Sequence, residues 1–464
     1  MTNQATAKMD TAKLVKWLVT LLIPIMIYFI PVNETFSAPI RLFLVITVLA
    51  ILLIAFELFD YMFIAILLPT AYILSGLAPA ATVFGGWTGT IPFMIVGGYL
   101  LSNVLTDTNL MKRIAYWCIM KVGGTYNGIL FGIVAVAIII NYLTSGNGIM
   151  IIVTMCVGLC QALELGKSKE SALLLLTGAM ASSFSSTGFV YAPQFLAMLQ
   201  AGGSTVIPGF SIGYSQFMLQ TCPWIIFLFL MTFLAAKVFK TKAAINGTDY
   251  FLAEYKALGK MSAAEKKAAV ITVLMLAFLM TTNIHGIALE WGFIIFPWLF
   301  FLPGIQIGQR ENITNINYPM IFFMIACISI GAVSGYLGFG PLLSSVLMPI
   351  LEPLGTNVVV VIIWLLGIVL NMLMTPMAVI GAFSAPVAQL AVDLGINPTG
   401  ALYALLNSMD MVVMPYEAVP YLIAFSFGFI SMQDFIKYSF FKIVLGTAFL
   451  VVIMLPFWHI IGVL

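Results

Sequence analysis

Two short polar segments interrupt long apolar runs, and they hold much of what could do chemistry in this 464-residue chain. The first, 141–148, carries Asn141, Thr144, Ser145, Gly146, Asn147 and Gly148; the second, 371–377, carries Asn371, Thr375 and Pro376. Hydroxyls, amide oxygens and carbonyls released from a helix are hard oxygen donors of the kind that suit Na+. Glycines let backbone approach a ligand closely. The N–H groups that open the returning helix, with its positive dipole end, suit an anion. Ser145, Gly146, Asn147, Gly148, Thr375 and Pro376 are therefore expected at an anionic substrate, and Asn141, Thr144 and Asn371 at a cation. Serines and threonines often only bond their own helices. Their density at two breaks argues for more here.

Two further stretches add to the set. Residues 182–188 hold Ser183, Ser185, Ser186, Thr187 and Gly188, read as cation ligands except Thr187, which is assigned to substrate. Residues 410–420 hold Asp410 and Glu417 on either side of Pro415, with Pro420 beyond. A carboxylate within a membrane is expensive and points to function by default, so both acids are assigned to an ion. Glu417 has Val190 as its counterpart in the first half, which makes it the acid that breaks the symmetry. Left charged and unpaired it would cost several kcal/mol; it must carry Na+, carry a proton, or pair with a neighbour. Glu57 and Asp60 fall at a span boundary, where an interfacial role suffices. No Lys or Arg is expected centrally in a span, so an anion must be held by N–H groups, hydroxyls and bound cations.

The elements that position these residues follow from composition. The chain is 62% hydrophobic and 8% charged, with mean hydropathy +1.11, far from the roughly 25% charged residues of soluble proteins. The apolar runs are continuous rather than alternating, which excludes a β-barrel and predicts an all-α polytopic membrane protein. Spans of about 20 apolar residues read at 15–32, 39–57, 61–80, 88–106, 215–236, 269–284, 288–306, 318–337 and 435–462. Residues 110–122 are amphipathic and expected along the interface. The polar breaks sit in 127–165 and 357–393, each read as a re-entrant hairpin of two half-length helices, because irregular backbone survives in lipid only when buried or facing a wet cavity. Each hairpin precedes a broken helix: 170–198, interrupted at 182–188, and 399–427.

The polar stretch 241–267 reads as a cytoplasmic linker between two halves of matching order. Glu164 and Gly166 after the first hairpin mirror Asp393 and Gly395 after the second. The division expected is 1–126 for scaffold spans, 127–213 for one transport half, 214–356 for a span, the linker and further scaffold, and 357–464 for the other transport half. With the N-terminus inside, Lys8, Lys13, Lys16, Lys112, Arg113, Lys121, Lys167, Lys169, the 237–267 cluster, Arg310 and Lys437 all fall on the cytoplasmic side, and Arg41 alone outside. That satisfies the positive-inside rule with about eleven spans and two opposed hairpins. Cys118, Cys156, Cys160, Cys222 and Cys327 lack metal-ligand spacing and read as small buried hydrophobes. His285 and His459 lie at span ends far from the breaks, which leaves no nucleophile–base pair for an enzyme. No span carries the polar stripe of a channel, and the basic residues sit in loops, which excludes nucleic-acid binding.

The arrangement resembles the divalent-anion/sodium symporter family of the ion-transporter superfamily over nearly the whole chain, in its hairpins, its broken helices and the segment 390–398. The resemblance implies an inverted repeat, a homodimer in the cell membrane, and an elevator motion that carries dicarboxylates, citrate or sulfate. The family's Ser-Asn-Thr tip falls on Gly146, Asn147 and Gly148 and on Thr375, Pro376 and Met377, where only Asn147 matches. Its Pro-Pro-Asn stretch falls on Ala192, Pro193 and Gln194 and on Val419, Pro420 and Tyr421, a partial match. The expectation is a secondary carrier for small di- or tricarboxylates, coupled to Na+. The alternatives are Na+-independent dicarboxylate exchange and, behind it, Na+/H+ antiport.

Overall fold

Proline, glycine and capping side chains decide where the apolar runs of this chain are cut into helices. The computed structural model describes residues 11–56, 58–122, 125–239, 248–373 and 375–464, and among them no strand forms. Lys8, Glu57 and residues 240–247 of the linker lie outside the described residues. Among the described residues, five helical segments are long and apolar enough to cross a membrane: Tyr126–Thr144, Lys169–Ser204, Arg310–Tyr336, Pro376–Asp393 and Met432–Ile460. The pair Tyr214–Thr221 and Pro223–Phe239, bent by 45°, makes a sixth.

The other expected spans come as shorter or interrupted helices, for local reasons. The run 61–80 ends as a helix at Leu74 because Gly76 takes a left-handed φ of 70°, and a new turn begins after Pro79. The run 288–306 divides into Glu290–Ile295 and a tighter turn, Phe296–Phe301, at Pro297. Ala263–Met280 starts ahead of its apolar run because Ser262 and Glu265 form a capping box. Asp60, placed at a boundary by sequence, caps Tyr61–Leu74 through the Met62 N–H.

The hairpins and broken helices form the centre. The first hairpin is Tyr126–Thr144 and Ile149–Ala162, so its first arm is a full 19 residues rather than half a span. The second is Thr356–Leu373 and Pro376–Asp393, at 18 residues each. In the most apolar 18-residue stretch of Lys169–Ser204, 94% of residues are buried, against 33% in that of Met432–Ile460, so the first broken helix is the hub and the last segment a flank. The halves meet where glycines remove side-chain bulk. A Cβ on Gly202 would lie 2.3 Å from Ser384 Cβ, which sets the arm Pro193–Ser204 of the first broken helix directly against Pro376–Asp393. The chain leaves the hairpins through glycines in the same left-handed conformation, Gly166 (φ 55°) and Gly395 (φ 68°).

The described part of the linker, from 248 onward, is docked against the amphipathic helix Leu110–Val122. Arg113 bonds Glu265 at 2.5 Å and the carbonyls of Gly259 (2.9 Å) and Leu258 (3.3 Å). Helix Leu110–Val122, expected to lie along the interface, also packs on the first hairpin: a Cβ on Gly132 would meet Ile119 backbone at 3.3 Å.

Candidate functional site

The two hairpin asparagines perform the same task. Asn141 Nδ2 donates to the Ser182 carbonyl at 2.7 Å, and Asn371 Nδ2 donates to the Met409 carbonyl at 3.2 Å. Each hairpin is thereby tied to the broken helix that follows it. Both amides are buried, so each bond is made where no water competes. The halves then diverge. Asn141 Oδ1 accepts the Gly148 N–H (3.1 Å) and folds the tip back, while Asn371 Oδ1 is buried with no hydrogen-bond partner among the described residues.

The first tip is backbone-rich. Ser145 and Gly146 take left-handed φ values of 52° and 86°. Ser186 reaches from the first broken helix to the Gly146 carbonyl at 2.9 Å, and a Cβ on Gly146 would meet Ala192 Cβ at 2.9 Å. Asn147 closes on its own turn through the Thr144 carbonyl (3.2 Å), and its carbonyl accepts from Ser102 (3.3 Å). Gly148 begins Ile149–Ala162 with no side-chain cap, so that helix opens with bare N–H groups. The second tip is different in kind: Thr375 caps the Ala378 N–H (3.4 Å) and Pro376 occupies the first turn, removing a donor.

The first break lies one step beyond the expected 182–188. Those residues finish Lys169–Gly188, and the chain leaves the helix at 189–192 instead. Ser185 bonds the Ala181 carbonyl, and Ser186 the Ser182 carbonyl, four residues back, a pattern compatible with helix. Ala192 precedes Pro193, where helical backbone is disfavoured. Thr144 and Thr187 also direct their hydroxyls to their own helices, at Ile140 and Phe184. Gly188 leaves room for the Phe184 ring, 2.7 Å from a would-be Cβ.

The second break is longer, from the end of Pro398–Ser408 to the start of Val419–Ser426, and it contains both acids. The hydrogen bonds of Glu417 run to backbone N–H groups of its own loop. Its carboxylate accepts the Val413 N–H (3.1 and 3.0 Å) and the Met414 N–H (2.6 Å), clamping the loop that carries it.

Asp410 is fully buried and paired with a residue that the sequence reading passed over. Lys442, inside the expected last span 435–462, overturns the expectation that no basic residue sits centrally in a span. Its ammonium lies 3.1 Å from Asp410 Oδ2 and 2.6 Å from the Tyr421 hydroxyl, and it bonds the Asp410 carbonyl as well. Tyr421 donates to Asp410 Oδ2 at 2.8 Å. Among the described residues, Ser183 is the polar side chain beside Asp410 Oδ1, which makes no close hydrogen bond. A second missed residue is Asn407. Its Nδ2 donates to the carbonyls of Thr187 (2.6 Å) and Gly188 (3.3 Å), and its Oδ1 accepts from Trp224 Nε1 (3.0 Å). One side chain of the second broken helix thus caps the first.

Neither histidine approaches these groups. His285 stacks on Phe278, and His459 meets Asn357 Oδ1 at 2.7 Å. Four of the cysteines are buried and Cys222 is exposed.

Two hairpins tied to two broken helices, all-helical among the described residues and apolar, make the architecture of a polytopic membrane protein. The family described as the sodium:sulfate symporter transmembrane region matches residues 11–464, and this chain belongs to it. A curated relative, a membrane protein of Cupriavidus necator, is 25% identical over 199 residues. That match covers 42% of this chain and 39% of the relative, so it spans about two fifths of that protein's length. Among solved structures, the YdaH transporter of Alcanivorax borkumensis, described as having an unusual topology, is similar at TM-score 0.54 and 15% identity over 82% of this chain and 88% of that one. MtrF of Neisseria gonorrhoeae, described within a class of antimetabolite efflux pumps, is similar at TM-score 0.55 and 14% identity over 82% of this chain and 84% of that one. At such identities the likeness is one of fold.

Proposed function

We propose that this protein is a secondary active transporter of small di- or tricarboxylate anions across the cell membrane. The observation that carries the reading is the pairing of Asn141 with Ser182 and of Asn371 with Met409, which holds two breaks of helical backbone inside the protein. Freed backbone at membrane depth is what a carrier uses to grip a polar solute that lipid rejects. The uncapped start of Ile149–Ala162, beside Ser145, Gly146 and Asn147, supplies N–H donors for a carboxylate, and Thr187, Thr375 and Pro376 complete the proposed contacts. Na+ is the proposed coupling ion at the first tip, where Asn141, Thr144, Ser183, Ser185, Ser186 and Gly188 offer oxygens; Asn371, Asp410 and Glu417 mark the corresponding cation position of the second half. The protein works as a homodimer, its N-terminus cytoplasmic, by an elevator motion of hairpins and broken helices against the remaining spans.

A second reading, Na+-independent exchange of dicarboxylates, is favoured by one observation: the Asp410 carboxylate already has the Lys442 ammonium as its counter-charge. Uptake of labelled succinate, malate, citrate and sulfate into proteoliposomes separates the two. Na+-stimulated uptake of a carboxylate supports symport, and uptake that needs internal carboxylate but no Na+ supports exchange. Transport of none of the four refutes both.

A further inference from the structure

Lys442 belongs to the helix Met432–Phe449, which is no part of the second break, yet its side chain ends inside that break. The side chain is fully buried, as is that of Asp410. An ammonium has three protons, and each has an oxygen partner here: the Asp410 carbonyl, Asp410 Oδ2 and the Tyr421 hydroxyl. The ammonium also sits over the Tyr421 ring, 4.3 Å from its centroid, where the ring face favours a cation. A main-chain carbonyl from unwound helix, a carboxylate and a hydroxyl are the donor types a hard monovalent cation takes. The position lies just past the C-terminal end of Pro398–Ser408, whose dipole adds negative potential.

A buried pair kept only for packing is replaceable by apolar side chains with little loss, and this one sits in unwound backbone, where Asp410 Oδ1 has Ser183 beside it but no close hydrogen bond among the described residues. We propose that Lys442 is a tethered counter-cation: its ammonium fills the cation position of the second break, so this half takes no exchangeable Na+ and any Na+ coupling is confined to the first hairpin tip. The inference rests on the carrier reading above for its consequence, though not for its test.

The test removes the tether and supplies Na+ in its place. Lys442→Met leaves the Asp410 cage without a cation, Lys442→Arg keeps the charge, and Lys442→Met combined with Asp410→Asn removes both. Each protein, full length in detergent, is titrated with NaCl against choline chloride at constant ionic strength while its melting temperature is followed. The expected result is a saturable rise in Lys442→Met of roughly 2–5 °C beyond any Na+ response of the wild type. That gain should be absent in Lys442→Arg and in the double variant. Recovery of Lys442→Met from membranes in NaCl but not in choline chloride supports the proposal equally. Equal loss of stability in the two salts, or recovery in neither, overturns it. Carboxylate uptake by the wild type is scored separately; its absence would defeat the carrier reading and leave the Na+ titration standing.

Discussion

Asn407→Leu is the substitution that isolates the bridge between the broken helices. The side chain is fully buried, and leucine shares its branching and heavy-atom count with bulkier methyls, so the change removes hydrogen bonds without opening a cavity and adds some overpacking. It strands the Trp224 N–H and deprives the Thr187 carbonyl of its 2.6 Å partner. A buried group left unpaired costs about 1–3 kcal/mol. Between membrane helices measured bonds average nearer ~0.6 kcal/mol, because stranded groups find other partners. Two groups together therefore give a loss of about 1–4 kcal/mol. Trp224→Phe removes the donor from Asn407 Oδ1 and also shrinks a fully buried ring stacked on Trp364, so it should cost at least as much. Reversible unfolding in mixed micelles measures both, and a double-mutant cycle should return a coupling of about 0.5–1.5 kcal/mol. Because Asn407 also caps the carbonyls that end Lys169–Gly188, uptake should fall by roughly tenfold, in line with ~1.4 kcal/mol lost at the site. Losses below about 0.3 kcal/mol in both variants, strictly additive, would show that the bridge does not hold the breaks together.

Two other outcomes follow from the geometry. Gly146→Ala forces a Cβ onto a residue at φ 86° and to within 2.9 Å of Ala192 Cβ, so the tip must shift; the left-handed backbone alone costs about 1 kcal/mol. The expectation is a large loss of uptake with a melting temperature lowered by only a few degrees, measured on the same preparation. At the linker, burial raises the Glu265 carboxyl, but bonds from Arg113 and Ser262 outweigh it and hold the group below its ordinary 4.5, while Glu265 holds the Arg113 guanidinium up. A lowered carboxyl stabilises the fold above that ordinary value and ceases to do so as pH falls through its folded value. The melting-temperature gap between wild type and Glu265→Gln should thus be constant near neutrality and close below about pH 4.5; a gap unchanged at low pH would contradict the latch.

The helical architecture and the two polar tips were legible because lipid enforces them: apolar runs must be helices, and polar interruptions must be buried. Asn141 and Asn371 stood out for that reason, and the structure gives them matching partners. The break at 189–192 was displaced from the serine cluster because hydroxyls can bond back along a helix, while the real signal was Pro193 and the residue before it. Asn407 could not be read, since a lone amide in an apolar helix looks the same whether it bonds its own turn or a distant carbonyl. Lys442 could have been. It follows Tyr438 by one helical turn on a buried face, well inside an apolar run, and a basic residue there is a functional signal.

Counterflow tests most directly whether the chain carries a carboxylate by alternating access. Proteoliposomes loaded with unlabelled dicarboxylate are diluted into a trace of the labelled compound, and internal label is followed with time. A carrier predicts transient accumulation of label above its equilibrium level, saturable with the internal load and reduced in Gly146→Ala. Simple equilibration of label, independent of the internal load, would contradict it.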